Sequence, residues 1–433
     1  MNFDKLNSHN RQAQLPEGDA QSLPKGWEIK KLGEVCDFQN GFAFKSKTYK
    51  ETGLPILRIT NIQNQNLEID DLVYFDTKDY KENFERFKVF KGDLVVAMSG
   101  ATTGKLGINN SDTVFYLNQR VGKFIPKKII DKSFLYFFLS TKVEESLRIA
   151  AGAAQPNLST KQINDFGIPF PPLPEQQRIV AILDEAFAVI ERSRNNAQQN
   201  LQNAKELFES YLQGVFDPST RSGQEGEGWE EKKLNEIGIA QTGTTPKTSE
   251  KENFGDFIPF IKPADVDFSG NGNIRYDNDG LSEIGLKKGR KMENGSTLMV
   301  CIGATIGKVG FAEMEVSCNQ QINSLTVKKD FEPKFIYYAM TSKNFQERVL
   351  LEGKGAQATL PIINKSKWEN LTISFPKSLK TQQAIVKKLD ALSAETKKLE
   401  GIYQQKINDL EELKKSILQK AFSGELKGKE MVE

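Results

Sequence analysis

The sequence predicts an α+β protein in which one plan is written twice: two duplicated, mixed α/β heads joined by two long antiparallel coiled-coil helices, with the halves related by a pseudo-two-fold. Three observations predict this. Landmarks in the first half recur in the second at a nearly constant offset. Each copy ends in a helical pattern of about 42 residues. Each copy begins with short β-like runs separated by Gly, Asn and Asp.

The repeat can be followed along the whole chain. "GWEIKKLGEV" at residues 26–35 returns as "GWEEKKLNEI" at 228–237, which places Trp27 and Trp229 202 positions apart. Gly100-Ala101-Thr102 of "SGATTGKLG" and Gly303-Ala304-Thr305 of "IGATIGKVG" are 203 apart; Asn118-Gln119 and Asn319-Gln320, like Phe134 and Phe335, are 201 apart. Gln155 and Leu158 of "GAAQPNLS" match Gln357 and Leu360 of "GAQATLPI". "EQQRIVAILD" (175–184) matches "TQQAIVKKLD" (381–390), and "ESYLQGVF" (209–216) matches "KSILQKAF" (415–422). A unit near 200 residues is far longer than a solenoid repeat, so each copy is a domain with something appended.

In chain order, residues 1–22 are polar and predict a flexible leader with no apolar signal core. Residues 23–172 form the first head, with β-like runs such as "PILRITNI" and "DLVVAMSG" and one helix near 132–150. Residues 173–217 form the first long helix, with Pro174 in its first turn and Asp217-Pro218 stopping it. Its apolar seam is Ile179, Leu183, Ala186, Ile190, Ala197, Leu201, Ala204, Phe208, Tyr211 and Val215. Residues 218–376 hold a polar, Gly-rich linker and the second head, with a helix near 333–352. Residues 377–424 repeat the helix, with a seam of Ile385, Leu389, Leu392, Leu399, Tyr403, Leu410, Leu413 and Ile417, and Gly424 at its C-terminus. A tail covers 425–433. Each long helix spans about 60 Å, too long to lie on one small domain, so the two should pack on each other.

Composition limits the chemistry. The one histidine, His9, lies in the leader, so the folded part has no histidine for a serine triad, an HExxH zinc site or any other His-metal centre. Cys36, Cys301 and Cys318 are scattered, with no CxxC; this pattern predicts a reducing, cytoplasmic setting and no zinc site. No apolar run is long enough to span a membrane. With 59 basic and 57 acidic side chains the net charge is +2, so a DNA binder of this composition must gather its basic residues on one surface.

The motifs with chemical promise are each incomplete, in spacing, in residue type or in context. A phosphate-binding P-loop needs GxxxxGK followed by Ser or Thr, to cradle phosphate and hold magnesium. Here Gly100 and Gly104 are three residues apart and Leu106 follows Lys105; Gly303, Gly307, Lys308 and Val309 fail in the same way. No GxGxxG joins a strand to a helix, and "FPFPPLPEQ" lacks the Asn or Asp and the aromatic of an adenine methyltransferase motif. Glu28/Lys30 and Glu230/Lys232 have the Glu-x-Lys spacing of a stand-alone metal-dependent nuclease, without a preceding Asp strand. No catalytic residue and no metal ligand is predicted. What remains is polar and basic side chains beside loop glycines, suited to base edges and phosphates. In the first head these are Lys45, Lys47, Arg58, Thr60, Asn61, Lys105, Gln119 and Arg120; in the second, Thr244, Lys247, Lys262, Lys308 and Gln320. One framework carrying two different polar loop sets suits a device that reads two short sequences. The alternatives are a stand-alone metal-dependent nuclease built on Glu28/Lys30 and Glu230/Lys232, and a structural adaptor that binds no DNA.

"GWEIKKLGEV", "SGATTGKLG", "GAAQPNLS", "IPFPPLPEQQRIVAILD" and "SILQKAFSGEL" together resemble the specificity subunit of type I restriction–modification systems, over about residues 24–426. The resemblance implies two target recognition domains, each reading one half of an asymmetric bipartite site in double-stranded DNA. It implies that the two helices set the gap and dock two methyltransferase subunits, through positions such as Gln176, Gln177, Ile179, Leu183, Gln382, Ile385 and Leu389. Restriction subunits would complete the complex. S-adenosylmethionine, Mg and ATP would belong to those partners, and no cofactor to this chain. The second copy departs from the family phrase, since "ISFPKSLKTQQAIV" lacks the Pro-Leu-Pro-Glu start. Base-reading residues vary within the family, so none is carried over by motif.

Overall fold

Strand Glu28–Lys31 pairs antiparallel with Gly167–Phe170, Lys31 opposite Gly167, so the entry and exit of the first head are tied side by side. The computed structural model describes residues 23–63, 65–151, 157–217, 228–267, 272–353 and 361–426; the leader, Gln155, most of the linker, Gln357 and most of the tail lie outside them. Between entry and exit the head folds into two sheets. One runs Cys36–Asn40, Val121–Pro126, Leu94–Ala97, Leu106–Ile108, then the short strands Gln65–Leu67 and Ile62–Gln63. The other runs Val73–Phe75, Leu54–Leu57, Phe115–Leu117, Lys88–Val89, with Leu54–Leu57 parallel to Phe115–Leu117. The alternation expected of half-buried strands gives way to full burial where a strand is covered on both faces, as across Leu94–Ala97.

The second head repeats this plan. Trp229–Lys233 pairs with Thr372–Pro376. One sheet runs Gly238–Thr242, Ile322–Val327, Thr297–Val300, Val309–Phe311, and the other Gly280–Leu281, Phe254–Ile261, Val316–Cys318, Lys291–Met292. The extra hairpin Ile62–Leu67 of the first head has no counterpart in these sheets.

The repeated glycine phrase is a turn between antiparallel strands in both heads, following Leu94–Ala97 and Thr297–Val300. Gly100, Gly104, Gly303 and Gly307 all take φ between 79° and 106°, the left-handed region that glycine alone enters without strain. A Cβ on Gly104 would also meet Ser146 Cβ at 2.7 Å, so this turn is packed against the helical layer.

The single helix expected near 132–150 is two, Lys132–Thr141 and Val143–Ala151, and that near 333–352 is Pro333–Thr341 and Lys343–Gly353. The break has the same cause in both. Ser140 and Thr141 Oγ donate back to Phe137 O (2.6 Å) and Phe138 O (2.7 Å), and Thr341 and Ser342 Oγ to Tyr338 O (2.8 Å) and Ala339 O (2.7 Å). Such hydroxyls compete with the helical ladder.

The long helices run Leu173–Phe216 and Leu379–Ser423. The chain divides into two compact units, each a head with half of both helices: residues 1–196 with 406–433, and 197–405. In the first unit, Arg178 Nη2 donates to Leu426 O at 3.1 Å and the Lys414 ammonium lies 5.1 Å over the Phe187 ring. Residue numbers rise along one helix as they fall along the other, so the helices are antiparallel. Phe422 then packs on Phe134 and Phe138, at 5.2 and 5.6 Å, joining the second helix to the first head. Ile179, Leu183, Ile190, Ile417, Leu418 and Ala421 share one buried core with that head. Each such Ile or Leu side chain contributes about 1.5–3 kcal/mol on full burial.

The seam is partly the expected one. Leu183, Ile190, Ala197 and Ala204 are buried at steps of seven. The next buried residues are Leu212 and Phe216, not Tyr211 and Val215, because Phe216 turns onto Phe335 of its own unit (5.2 Å). On the second helix Val386, Thr396 and Ile407 are buried, while Leu413 is 46% exposed. Thr396 fits the seam because its hydroxyl donates to Leu392 O at 3.0 Å.

Candidate nucleic-acid interface

The strand exits that carry Arg58 and Lys262 are each built by a buried polar side chain. In the first head, Asn61 is 2% exposed; its Oδ1 accepts from Arg58 N at 3.0 Å and its Nδ2 donates to Glu68 O and Asp71 O, each at 3.2 Å. In the second, Asp265 is 1% exposed and accepts from Lys262 N at 3.0 Å. Asn61 is therefore a turn-former with its amide fully engaged, and offers nothing to a base edge. It sets the direction of Arg58 instead.

The two basic side chains so presented are both held by acids. Arg58 Nη2 donates to Asp71 Oδ2 (3.0 Å) and Asp71 O (2.8 Å); Lys262 Nζ lies 2.7 Å from Asp279 Oδ2. A phosphate or base reaching them competes with those acids, although Arg58 Nη1 and Nε and two of the three Lys262 ammonium protons are not used in these bonds. Lys45, Lys47 and Thr60 stand exposed on their loops, and Lys247 is exposed with Glu250 at 3.7 Å.

A second shared feature lies at the turn after Phe115–Leu117 and Val316–Cys318. Asn118 Oδ1 accepts from Arg120 N (3.4 Å), and Asn319 Oδ1 from Gln321 N (3.0 Å). These turns leave Gln119, Arg120 and Gln320 exposed. Gly41 and Gly243 pass so close beneath that a Cβ would lie 2.0 and 2.1 Å from Asn118 O and Asn319 O. Thr244 is pinned there through its N–H to Cys318 O at 2.9 Å. The turn bearing Gln119 and Arg120 thus packs on Gly41 and Phe42, where the loop that carries Lys45 and Lys47 begins. In the second head the turn bearing Gln320 packs in the same way on Gly243 and Thr244, from which the chain runs on to Lys247.

Lys105 and Lys308 sit elsewhere. Lys105 is half-buried and donates to Gln63 Oε1 at 3.3 Å. Gly307 and Lys308 line a cleft of about 1130 Å³ in the second unit, with Lys334, Tyr338, Asp390 and Lys397. Tyr338 Oη donates to Asp390 Oδ1 at 2.6 Å, and burial with that carboxylate beside it pushes the phenol pKa well up.

The expected docking positions divide sharply. Gln176, Ile179, Leu183, Gln382 and Leu389 are all 0% exposed within their own units and present no side-chain surface. Gln176 Nε2 donates to Pro171 O (2.9 Å) and Ile129 O (3.3 Å), and its Oε1 accepts from Asp131 N (2.8 Å). Gln382 donates to Pro376 O (2.9 Å) and accepts from Glu332 N (2.9 Å). The repeated Gln-Gln phrase is therefore a pair of staples fastening each helix start to its head. Gln177 is exposed and Ile385 half-buried.

The Glu-x-Lys triplets are ion-paired on their strands: Glu28 with Lys30 at 2.9 Å, and Glu230 with Lys232 (3.4 Å) and Lys377 (3.1 Å). Among the described residues no group of three or more His, Cys, Asp or Glu is placed to hold a metal, and no helix is long and apolar enough to cross a membrane. Sequence reasoning passed over the basic run Lys287-Lys288-Gly289-Arg290-Lys291, which the fold brings against the loop from Thr242. The density of cations was the available signal.

The family model described as type I restriction modification DNA specificity domain matches twice, over residues 24–201 and 226–412. The EcoBI specificity subunit of Escherichia coli is 23% identical over 436 residues, covering 94% of this chain and 87% of that one. The MjaVIII specificity subunit of Methanocaldococcus jannaschii is 32% identical over 199 residues, 44% of this chain and 47% of that one. A solved chain from a study of assembly and conformational transition of the type I R-M system superposes with TM-score 0.72 at 20% identity, covering 93% of this chain and 99% of that chain. The HsdS subunit from Thermoanaerobacter tengcongensis superposes with TM-score 0.56 at 19% identity, covering 93% and 98%. At these identities the superpositions speak for the fold.

Proposed function

Because this chain belongs to the type I restriction–modification DNA specificity family, we propose that it is the DNA-recognition subunit of a type I restriction–modification complex. It is not the catalyst. Each head reads one half of an asymmetric bipartite site in double-stranded DNA, and the paired helices set the gap between the halves. The observation that carries this is the double match of the family model, one copy on each half of the internal repeat. The differing polar loops on a shared framework support it: Arg58 with Asn61 in one head stands where Lys262 with Asp265 stands in the other.

The partners in this reading are two methyltransferase subunits, docked along the outer faces of the helices, and restriction subunits. S-adenosylmethionine, Mg and ATP belong to those partners. Gln177 and the exposed Leu207, Tyr211 and Ile402 belong to the docking faces; the buried glutamines act behind them.

Sequencing of methylated bases in cells with and without this gene tests the reading. Loss of the gene erases one bipartite methylation motif, and an unchanged methylome refutes it. Exchange of residues 226–376 for those of another family member changes one half-site alone. Because the seam repeats every seven residues, inserting seven residues in both helices keeps the packing and lengthens the gap, with both half-sites retained.

A further inference from the structure

Strand register lets the two heads be compared position by position. Leu117 lies opposite Leu57 and Lys88 opposite Tyr116; Cys318 lies opposite Ile261 and Lys291 opposite Ser317. Phe87 and Arg290, each one residue ahead of its strand, therefore hold the same place. So do Phe42 and Thr244, whose N–H groups donate to Leu117 O (2.8 Å) and Cys318 O (2.9 Å).

In the first head that place is filled by rings. Phe87 is 3% exposed, with the Phe42 ring 5.6 Å away, and Phe42 in turn packs on Phe44, Tyr80 and Phe84. In the second head the rings are replaced by polar groups. Arg290 is exposed, and its Nη1 donates to Thr242 O at 2.7 Å. Three residues on, Thr245 Oγ1 donates to Gln320 Oε1 at 2.5 Å. Arg290 and Gln320 are thus fixed to the same four-residue loop, Thr242–Thr245.

Arg290 also differs from its neighbours in charge pairing. Lys287 pairs with Glu283 (3.3 Å), Lys288 with Glu250 (2.7 Å) and Lys291 with Glu315 (2.7 Å). Among the described residues no carboxylate lies within ion-pair distance of Arg290; its hydrogen-bond partner is the Thr242 carbonyl. A guanidinium has five N–H donors in a planar fork, so one bond to a carbonyl orients it and leaves donors for a ligand. Gln320 is oriented in the complementary sense: its Oε1 is engaged, leaving Nε2 to donate.

We propose that Arg290 and Gln320 are the base-reading pair of the second head, with Arg290 forking onto O6 and N7 of a guanine in the major groove. Gln320 donates from Nε2 to an acceptor on a neighbouring base. The inference rests on the recognition role above and adds the residues and the base. Bidentate contact to guanine O6 and N7 is the commonest specific contact in that groove, and for Arg it needs a fork held in a plane. The neighbouring lysines, already neutralised, supply no such geometry.

The test uses the full chain with its methyltransferase partner, reading the methylation motif in cells that carry wild type, Arg290→Lys, Arg290→Gln or Gln320→Ala. Both Arg290 variants are expected to relax one position of one half-site, where the wild type demands G, with discrimination lost by roughly tenfold to a hundredfold. The other half-site stays intact, which also reports that the variants fold and assemble. The Gln320 variant is expected to relax an adjacent position. An unchanged motif with Arg290→Gln overturns the proposal. So does a uniform loss at every site that Arg290→Lys restores, which marks a phosphate contact. If the wild-type gene directs no motif, the recognition role itself falls, an outcome distinct from a motif indifferent to Arg290.

Discussion

Gln176→Met removes the staple at the first helix start while keeping its volume. Two groups lose their partner: Asp131 N–H, 2.8 Å from Oε1, and Pro171 O, 2.9 Å from Nε2. The third, Ile129 O, belongs to an exposed residue and can turn to water. A buried donor or acceptor left unmade costs about 1–3 kcal/mol, so two give about 2–4 kcal/mol, with Asp131 at the lower end because it is half-exposed. Asp131 also caps helix Lys132–Thr141 by accepting from Ser133 N and Phe134 N, so the disturbance spreads to that helix start. Urea unfolding of the full chain measures the loss, and hydrogen exchange over the peptide holding Asp131 locates it. Destabilisation below about 1 kcal/mol, together with failure of the methyltransferase subunits to copurify, would refute the reasoning. It would mean that the side chain acts outward, on a partner.

Three further outcomes are expected. Gly401 lies exposed in the second long helix with nothing within 4 Å of an added Cβ, so Gly401→Ala raises the urea midpoint by the equivalent of about 0.5–1 kcal/mol; a fall shows the helix is not regular there. Thr372, then Arg348, hydrogen-bond the Glu231 carboxylate and hold its pKa below the usual value of 4.5. A depressed carboxylate stabilises above its unfolded pKa and loses that contribution as pH falls through its folded one. Acid unfolding curves should therefore lose part of their slope below pH 4.5 in Arg348→Met, and identical curves count against the pair. Burial pushes the thiols of Cys36, Cys301 and Cys318 up to about 12, so a disulfide reagent at pH 8 should label none of them until the chain unfolds; rapid labelling of the folded chain contradicts their placement.

The duplicated architecture was legible because repeats and helical periodicity are local properties of the string. Trp27 and Trp229, or the two glycine phrases, need no coordinates to be matched. The helix seam was legible up to Ala204, where packing is helix on helix, and failed at Tyr211, where the partner is a head and Phe216 decides the face. Thr396 was passed over because its polarity hides a hydroxyl satisfied by its own helix. The contact residues were least legible. Arg58 and Lys262 could be proposed from type alone, but the acids that hold them are brought in by strand pairing. Asn61 and Gln176 look like recognition residues in sequence, since an amide reads the same whether it faces a base or a carbonyl. Arg290 lay in a cation run whose members differ only once their neighbours across the sheet are known.

The sharing of helices between units bears on the order of synthesis. Leu183 leaves the ribosome long before Ile417, Ala421 and Phe422, yet all belong to one core. At about 5–20 residues per second the interval is roughly ten to fifty seconds, during which Phe134, Phe138, Ile179 and Leu183 lack part of their cover. The nascent first half thus keeps that apolar surface open until the second long helix is made. A message truncated anywhere inside the second head would leave the first head without the cover given by Ile417, Leu418 and Ala421, besides breaking the second.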